Sequence, residues 1–154
     1  MPVLPPGRVL VDASFLLALA EQHAGASRLA AVLTRSIITS VNLGEVAYKL
    51  EQKAGMSAAR TESLFVALGV VAVPVDVATA RQFPDLKRID AASRSHQTSG
   101  LSKLTSLSLA DMCCLGYARA YDLPVLTGGK HWLTLRPHGL TPQVFDFRDR
   151  TLTV

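Results

Sequence analysis

The stretch SLSLADMCCLGYARAYDLPVLTGGKHW, residues 106–132, carries the pattern that decides the fold. It starts with polar hydroxyls, continues with apolar residues at helical spacing, breaks at Asp122, and resumes as a short apolar run before two glycines. The pattern predicts a helix, a tight turn, a strand and a glycine loop. Asp111 falls in the first turn of that helix, three residues after Ser108. Because helix starts and strand ends share one crevice in an open parallel sheet, a carboxylate at this place is positioned for chemistry.

Strands and helices alternate along the rest of the chain. Short β-rich runs predict strands at 8–11, 37–40, 70–75, 124–127 and 143–147, and helical patterns lie between them. Helices are predicted at 13–20, 21–35 and 42–50, from Ser57 onward, after Asp76 with a break at Pro84, and at 130–135. This alternation predicts an α/β fold, a three-layer α/β/α sandwich with a central parallel sheet. We expect one domain over residues 1–154, with 1–8 and 148–154 peripheral.

The composition fits a compact protein that buries a core. The chain has 154 residues, of which 49% are hydrophobic, and its mean hydropathy is +0.27. It shows neither an apolar run long enough for a membrane span nor a secretory signal pattern, so we expect a cytoplasmic location. The two cysteines, Cys113 and Cys114, are adjacent and predicted to lie in the core. The histidines show no metal-ligand spacing, and His131 is interpreted as a surface or packing residue.

The net charge of +4 suits a polyanionic partner, although charge alone leaves the partner open. The basic excess is concentrated in residues 81–103, where Arg88, Arg94 and Lys103 are candidates for phosphate contacts. A solvated helix face explains the same charges equally well. The polar segment 93–106 has no clear period and is predicted to be a mobile loop.

Three acids far apart in sequence share one placement, at or just inside a predicted helix start. Asp12, Glu45 and Asp111 are expected to meet at one edge of the sheet, where Mg²⁺ or Mn²⁺ would offset their repulsion. A metal held there activates water and neutralises charge at a phosphodiester. The alternative is structural: Asp12 reads as an N-cap, and Asn42 with Glu45 matches a capping box.

Four segments resemble, in order, the sequence blocks of PIN-domain ribonucleases, most closely the VapC-type toxins of bacterial toxin–antitoxin pairs. They are VLVDASFLLAL, SVNLGEVAYKL, LSLADMCCLGYA and LPVLTGGKHW. The resemblance implies a PIN-like sandwich, Mg²⁺- or Mn²⁺-dependent cleavage of RNA, a homodimer, and a cognate antitoxin that blocks the site. It makes Asp12, Glu45 and Asp111 the first three acids of the site, with Ser14 and Asn42 as their small polar neighbours.

The chain departs from this family in the loop after the last matching strand. The family usually has Thr-Ala-Asp there, whereas this chain has Thr127-Gly128-Gly129, so Gly129 replaces a fourth acid. We expect weaker metal binding, while Thr127 keeps a hydroxyl that could orient a water or a phosphate. A positive φ is also expected at Gly129, which would disfavour an aspartate. The alternative function is an inactive PIN-like domain that binds RNA or an antitoxin without cleavage.

Overall fold

The computed structural model describes residues 1–95 and 106–154, and its centre is a five-stranded parallel sheet. The strands are β1 (Val9–Val11), β2 (Ser36–Thr39), β3 (Val71–Val73), β4 (Val125–Thr127) and β5 (Val144–Asp146). Their order across the sheet is β3-β2-β1-β4-β5. All four pairings are parallel, with Leu10 of β1 opposite Ile37 on one side and Val125 on the other. The predicted parallel sheet is confirmed.

Eight α-helices are assigned in the described residues, and two short 3₁₀ helices accompany them at Ala30–Arg35 and Arg136–His138. The α-helices are α1 (Ala13–Ala20), α2 (Ala24–Ser27), α3 (Ser40–Ala54), α4 (Ala58–Ala67), α5 (Val77–Ala80), α6 (Phe83–Ser95), α7 (Leu109–Tyr121) and α8 (Lys130–Thr134). None of these helices is long and apolar enough to cross a membrane.

Side chains of β1, β2 and β4 alternate between two separate cores, one on each face of the sheet. Val9 and Val11 pack with α1, α2, α3 and α4, whereas Leu10 between them packs with α6, α7 and α8. Cys113 and Cys114 are both buried, as predicted. The α/β/α sandwich is therefore confirmed.

The strand order places a crevice where β1 and β4 lie side by side. The chain runs from β1 outward to β3, returns to β4 on the other side of β1, and continues outward to β5. Ligands in open α/β sheets bind outside the carboxyl ends of strands at such a reversal. Asp12 directly follows β1, and Gly128 directly follows β4.

Two predicted helix boundaries are wrong for local reasons. The single helix predicted at 21–35 is instead α2 followed by a 3₁₀ helix, because Gln22 has a φ of 56° and turns the chain after α1. The break predicted at Pro84 lies earlier, between α5 and α6. Pro84 is the second residue of α6, and a helix tolerates proline in its first turn because the missing N–H has no partner there.

The capping box predicted for Asn42 and Glu45 is also wrong. Helix α3 begins at Ser40, and Thr39 is its N-cap, with a side-chain oxygen that accepts from the backbone N–H of Asn42. Asn42 is therefore inside the first turn and Glu45 in the second. The Asn42 side chain can therefore reach Ala110 of α7, whereas Glu45 pairs with Lys49 of its own helix.

Both ends of the chain contact the core. Leu4 and Leu152 are buried, and a parallel bridge joins Val3 to Thr153. The guanidinium of Arg28 donates to the carbonyl oxygens of Leu152 and Asp149. Of the predicted mobile loop at 93–106, residues 96–105 lie outside the described part of the chain, and residues 93–95 belong to α6.

Candidate active site

The three predicted acids line one pocket of about 270 Å³ at the carboxyl ends of β1 and β4. Asp12 comes from the end of β1, Glu45 from α3 and Asp111 from α7. The other residues that line this acid pocket are Ala13, Ser14, Leu17, Asn42, Lys49, Gly128, Gly129 and Trp132. Elements separated by up to 99 positions in the sequence thus contribute carboxylates to one place.

Asp12 is held from both sides of its carboxylate. It is the N-cap of α1, and its Oδ1 accepts from the backbone N–H of Phe15 at 3.4 Å and from Ser14 Oγ at 2.6 Å. Its Oδ2 accepts from Thr127 Oγ1 at 2.8 Å. Both interpretations of the sequence therefore meet in one residue, because the cap of α1 also lines the acid pocket.

The glycine loop fixes the direction of the two hydroxyls on Asp12. The backbone N–H of Gly128 donates to Ser14 Oγ at 2.8 Å, and that of Gly129 donates to Thr127 Oγ1 at 2.9 Å. Each hydroxyl accepts from a backbone amide and gives its own proton to the carboxylate. This hydroxyl clamp orients Asp12. The hydroxyl of Thr127 donates to Asp12, and its role in orienting a water or a phosphate stays a prediction.

Glu45 faces a cation of its own helix. Lys49 lies one turn further along α3, and its Nζ is 2.5 Å from Glu45 Oε1. Both side chains are partly exposed and line the acid pocket. An ammonium group thus occupies a position beside a carboxylate that the resemblance assigns to a metal.

Asp111 is positioned by its own helix start and by α3. Its side chain accepts from the backbone N–H of Ser108 at 2.8 Å, and Ser108 Oγ accepts from the N–H of Asp111, which completes a capping box. Asn42 is buried, and its Nδ2 donates to the carbonyl oxygen of Ala110 at 3.3 Å. The side chain of Asn42 therefore ties α3 to the residue that precedes Asp111.

Burial, with a smaller contribution from neighbouring carboxylates, raises the pKa values of Asp12 and Asp111. Burial is the main cause that raises the pKa of Asp12 to about 6, against the hydrogen bonds from Ser14, Thr127 and Phe15, and the charge of Asp111 adds to it. The pKa of Asp111 is also raised, mainly by burial and further by Glu45. A cation bound between these carboxylates would favour their charged forms and offset the repulsion among them.

Folding stability is expected to fall as the pH rises from about 4 to about 6. The pKa of folded Asp12, about 6, is above its ordinary value of 3.8, so the folded state binds a proton more tightly than the unfolded chain in this window. Asp111 shifts in the same direction. Melting temperatures measured across this range should decline less in Asp12→Asn than in the natural sequence. Identical profiles would show that Asp12 does not titrate in this way.

The donor set suits a hard cation, although its members are engaged with protein groups. Carboxylate oxygens are the ligands that Mg²⁺ prefers. Within residues 1–95 and 106–154, no group of three or more His, Cys, Asp or Glu side chains stands as a ready metal-binding cluster. The hydroxyl clamp satisfies Asp12, and Lys49 pairs with Glu45. A metal bound by Glu45 would therefore compete with Lys49 for this carboxylate.

Sequence reasoning missed a buried contact between an aspartate and a histidine beside the site. Asp90 of α6 is fully buried, and its Oδ1 lies 3.0 Å from Nε2 of His131 in α8. Its Oδ2 accepts from the backbone N–H of Leu107, near the start of α7. His131 is thus partnered by an acid. The available signal was the spacing of Asp90 four residues after Leu86 on the buried face of α6.

Of the predicted phosphate-binding cations, Arg88 and Arg94 do not line the acid pocket. Arg88 is largely exposed and pairs with Asp85 of its own helix. Arg94 lies 3.9 Å from Asp90. Lys103 lies outside the described residues. Their role in phosphate contact remains a prediction.

The two glycines of the loop have different reasons to be small. A Cβ on Gly128 would lie 2.7 Å from the ring of Phe147, so packing requires glycine there. Gly129 has a φ of −78°, so the expected positive φ is wrong. A Cβ on Gly129 would be 3.2 Å from Thr127 Oγ1, a tight contact that a small shift relieves. Only Gly128 is therefore dictated by the fold.

Comparison with models of known protein families identifies the family of this chain. A model of the PIN domain matches residues 9–135, which includes all three acids and the glycine loop. The chain belongs to the PIN domain family. No curated protein matches the sequence.

Solved structures with the same fold include complexes of toxins with antitoxins. DNA-bound VapBC from Salmonella typhimurium has 14% identity and a TM-score of 0.62, with 92% of this chain and 98% of that chain covered. A toxin–antitoxin complex from Klebsiella pneumoniae has 17% identity and a TM-score of 0.61, with 89% and 95% covered. VapC20 from Mycobacterium tuberculosis, a toxin that cleaves the sarcin–ricin loop, has 18% identity and a TM-score of 0.54, with 86% and 96% covered. At identities below 20%, these structural similarities show the fold alone.

Proposed function

We propose that this PIN domain is a VapC-type toxin, an endoribonuclease that uses Mg²⁺ or Mn²⁺. The observation that carries the proposal is the convergence of Asp12, Glu45 and Asp111 in one pocket at the sheet reversal of a PIN fold. One structure of the same fold belongs to a toxin that cleaves an RNA loop. We further propose a cognate antitoxin as partner, since several of the similar structures are toxin–antitoxin complexes.

The three acids would hold the metal, and the surrounding residues would keep them in place. When bound, a divalent ion supplies an activated water and neutralises charge at the phosphodiester. The hydroxyl clamp of Ser14 and Thr127 fixes the orientation of the Asp12 carboxylate. Asn42 fixes the start of the helix that carries Asp111. Trp132, which is buried, forms part of the pocket wall.

The test is cleavage of structured RNA by the purified protein with Mn²⁺ and with EDTA. Discrete cuts that need the metal are expected. RNA binding without cleavage would favour the alternative, an inactive domain that binds RNA or an antitoxin, and two observations point that way. Gly129 lacks the fourth carboxylate, and Lys49 neutralises Glu45.

Lys49 is expected to compete with the metal for Glu45. Lys49→Gln removes the ammonium group that lies 2.5 Å from this carboxylate, so Mn²⁺ should bind about fivefold more tightly. Titration calorimetry measures this change without reference to activity.

Lys53→Gln is the matched control, because Lys53 lies one turn further along α3 and pairs with Glu21 at 2.6 Å. It does not line the acid pocket. Equal Mn²⁺ affinity in Lys49→Gln and the natural sequence would mean that Glu45 does not contribute to metal binding.

A further inference from the structure

A cleft larger than the acid pocket lies beside it and is lined by three arginines. Its volume is about 570 Å³, roughly twice that of the acid pocket, and is of the size that binds a nucleotide-sized ligand. The residues that line this basic cleft are His23, Ala24, Gly25, Arg28, Arg148 and Arg150. Three of the six are arginines and none is acidic. The cleft is therefore complementary to an anion.

Arg148 connects the basic cleft to the acid pocket. Its guanidinium donates to the carbonyl oxygen of Gly128, a residue that lines the acid pocket. The same guanidinium lies 5.2 Å from the centre of the Phe147 ring. The backbone N–H of Arg148 donates to the Asp146 side chain. These contacts hold a positive charge against Gly128, the residue whose backbone N–H donates to Ser14 of the hydroxyl clamp. Because a guanidinium has five N–H donors, one bond to Gly128 leaves others for a ligand.

The other basic residues of the cleft differ in the number of hydrogen bonds that they make with the rest of the protein. Arg28 is oriented by two backbone carbonyls and lies close enough to the Asp149 carboxylate for their charges to interact. Arg150 is exposed, and no hydrogen bond or ion pair joins it to another residue in 1–95 or 106–154. His23 Nδ1 accepts from the backbone N–H of Gly25, so the neutral ring carries its proton on Nε2 as a donor. The cleft thus offers several donors to phosphate oxygens.

We propose that the basic cleft binds the backbone phosphates of single-stranded RNA next to the phosphodiester that occupies the acid pocket. This inference rests on the proposed function, since it extends the same substrate beyond the site of cleavage. The acid pocket and the basic cleft are joined where Arg148 of the cleft donates to Gly128 of the pocket. An RNA strand that places one phosphodiester at a metal in the acid pocket could therefore place neighbouring phosphates against the arginines of the cleft. By contrast, Arg88 and Arg94 are each paired with an acid.

Arg150 gives the cleanest test because its replacement breaks no hydrogen bond or ion pair within residues 1–95 and 106–154. In EDTA, which prevents cleavage, Arg150→Glu should weaken binding of a fluorescein-labelled RNA of about ten nucleotides by at least about fivefold. The slope of log affinity against log salt should become shallower by about 0.7 for each phosphate that position 150 no longer neutralises. Fluorescence anisotropy across a salt series measures both effects, and circular dichroism checks the fold.

Arg60→Glu is the matched control, with the same change in net charge at an exposed position in the first turn of α4. Unchanged RNA affinity in Arg150→Glu, or an equal loss in both variants, would overturn the proposal. So would polyglutamate that binds as tightly as RNA with the same dependence on Arg150, since the cleft would then accept acidic peptides. If RNA binds through Arg150 but is never cut, the proposed nuclease function is wrong, while the proposed RNA binding by the basic cleft still holds.

Discussion

Replacing Asp12 with asparagine is expected to reduce RNA cleavage by more than roughly a hundredfold while the protein still folds. The substitution removes a negative charge from the centre of the acid pocket. It keeps one oxygen for the hydroxyl clamp and for the cap of α1, because asparagine is as good an N-cap as aspartate. Whichever clamp hydroxyl, Ser14 or Thr127, faces the side-chain NH₂ of the new asparagine can accept a hydrogen bond from it. The proton of that hydroxyl then points elsewhere. That change of hydrogen bonding costs about 1 kcal/mol, which is offset by burying a neutral group in place of a charge.

Asp76→Asn is the control for this substitution. Asp76 is also an N-cap, with a side chain that accepts from the backbone N–H of Thr79 at 2.8 Å, but it does not line the acid pocket. Cleavage should be unchanged in this variant. Thermal melting and RNA cleavage together separate the two roles of Asp12. Full activity in a folded Asp12→Asn variant would remove this carboxylate from the proposed site.

The parallel sheet, and the edge at which the acid pocket lies, were predictable because buried strands and helix caps leave local patterns in the sequence. The runs around Val9, Ile37 and Val125 are short, apolar and followed by a helix start, and each became a parallel strand. Asp12 and Asp111 follow from the same logic, since helix starts in a parallel fold lie at one edge. Local pattern therefore gave the fold class and the general position of the acids.

The contacts that complete the site join residues distant in the sequence and have no local signature. Thr127 reaches Asp12 across 115 positions, and Asn42 reaches Ala110 across 68. The capping box predicted at Asn42 was wrong because Thr39 offers an earlier cap, and pattern alone does not rank two adjacent candidates. Asp90 was missed for a similar reason, since its partner His131 lies in another helix.

Restoring the fourth acid is expected to strengthen the site. Gly129→Asp places a carboxylate at the N-cap of α8, at the rim of the acid pocket, and should tighten Mn²⁺ binding by roughly tenfold to a hundredfold. The backbone permits the change, because φ at Gly129 is −78° and ψ is 95°, an extended conformation that aspartate adopts without strain. The Cβ contact with Thr127 Oγ1 at 3.2 Å requires a small shift of the hydroxyl. RNA cleavage should rise together with metal affinity.

Gly129→Asn separates charge from shape in this experiment. Asparagine has nearly the same size, can cap α8 as well as aspartate, and makes the same contact with Thr127, but it adds no charge. Titration calorimetry with Mn²⁺ should therefore show tighter binding in Gly129→Asp and little change in Gly129→Asn. An equal gain in both variants would attribute the effect to the cap of α8. Unchanged affinity in a folded Gly129→Asp variant would show that the new carboxylate caps α8 and does not reach the cation, because the N-cap position lets the side chain turn toward its own helix.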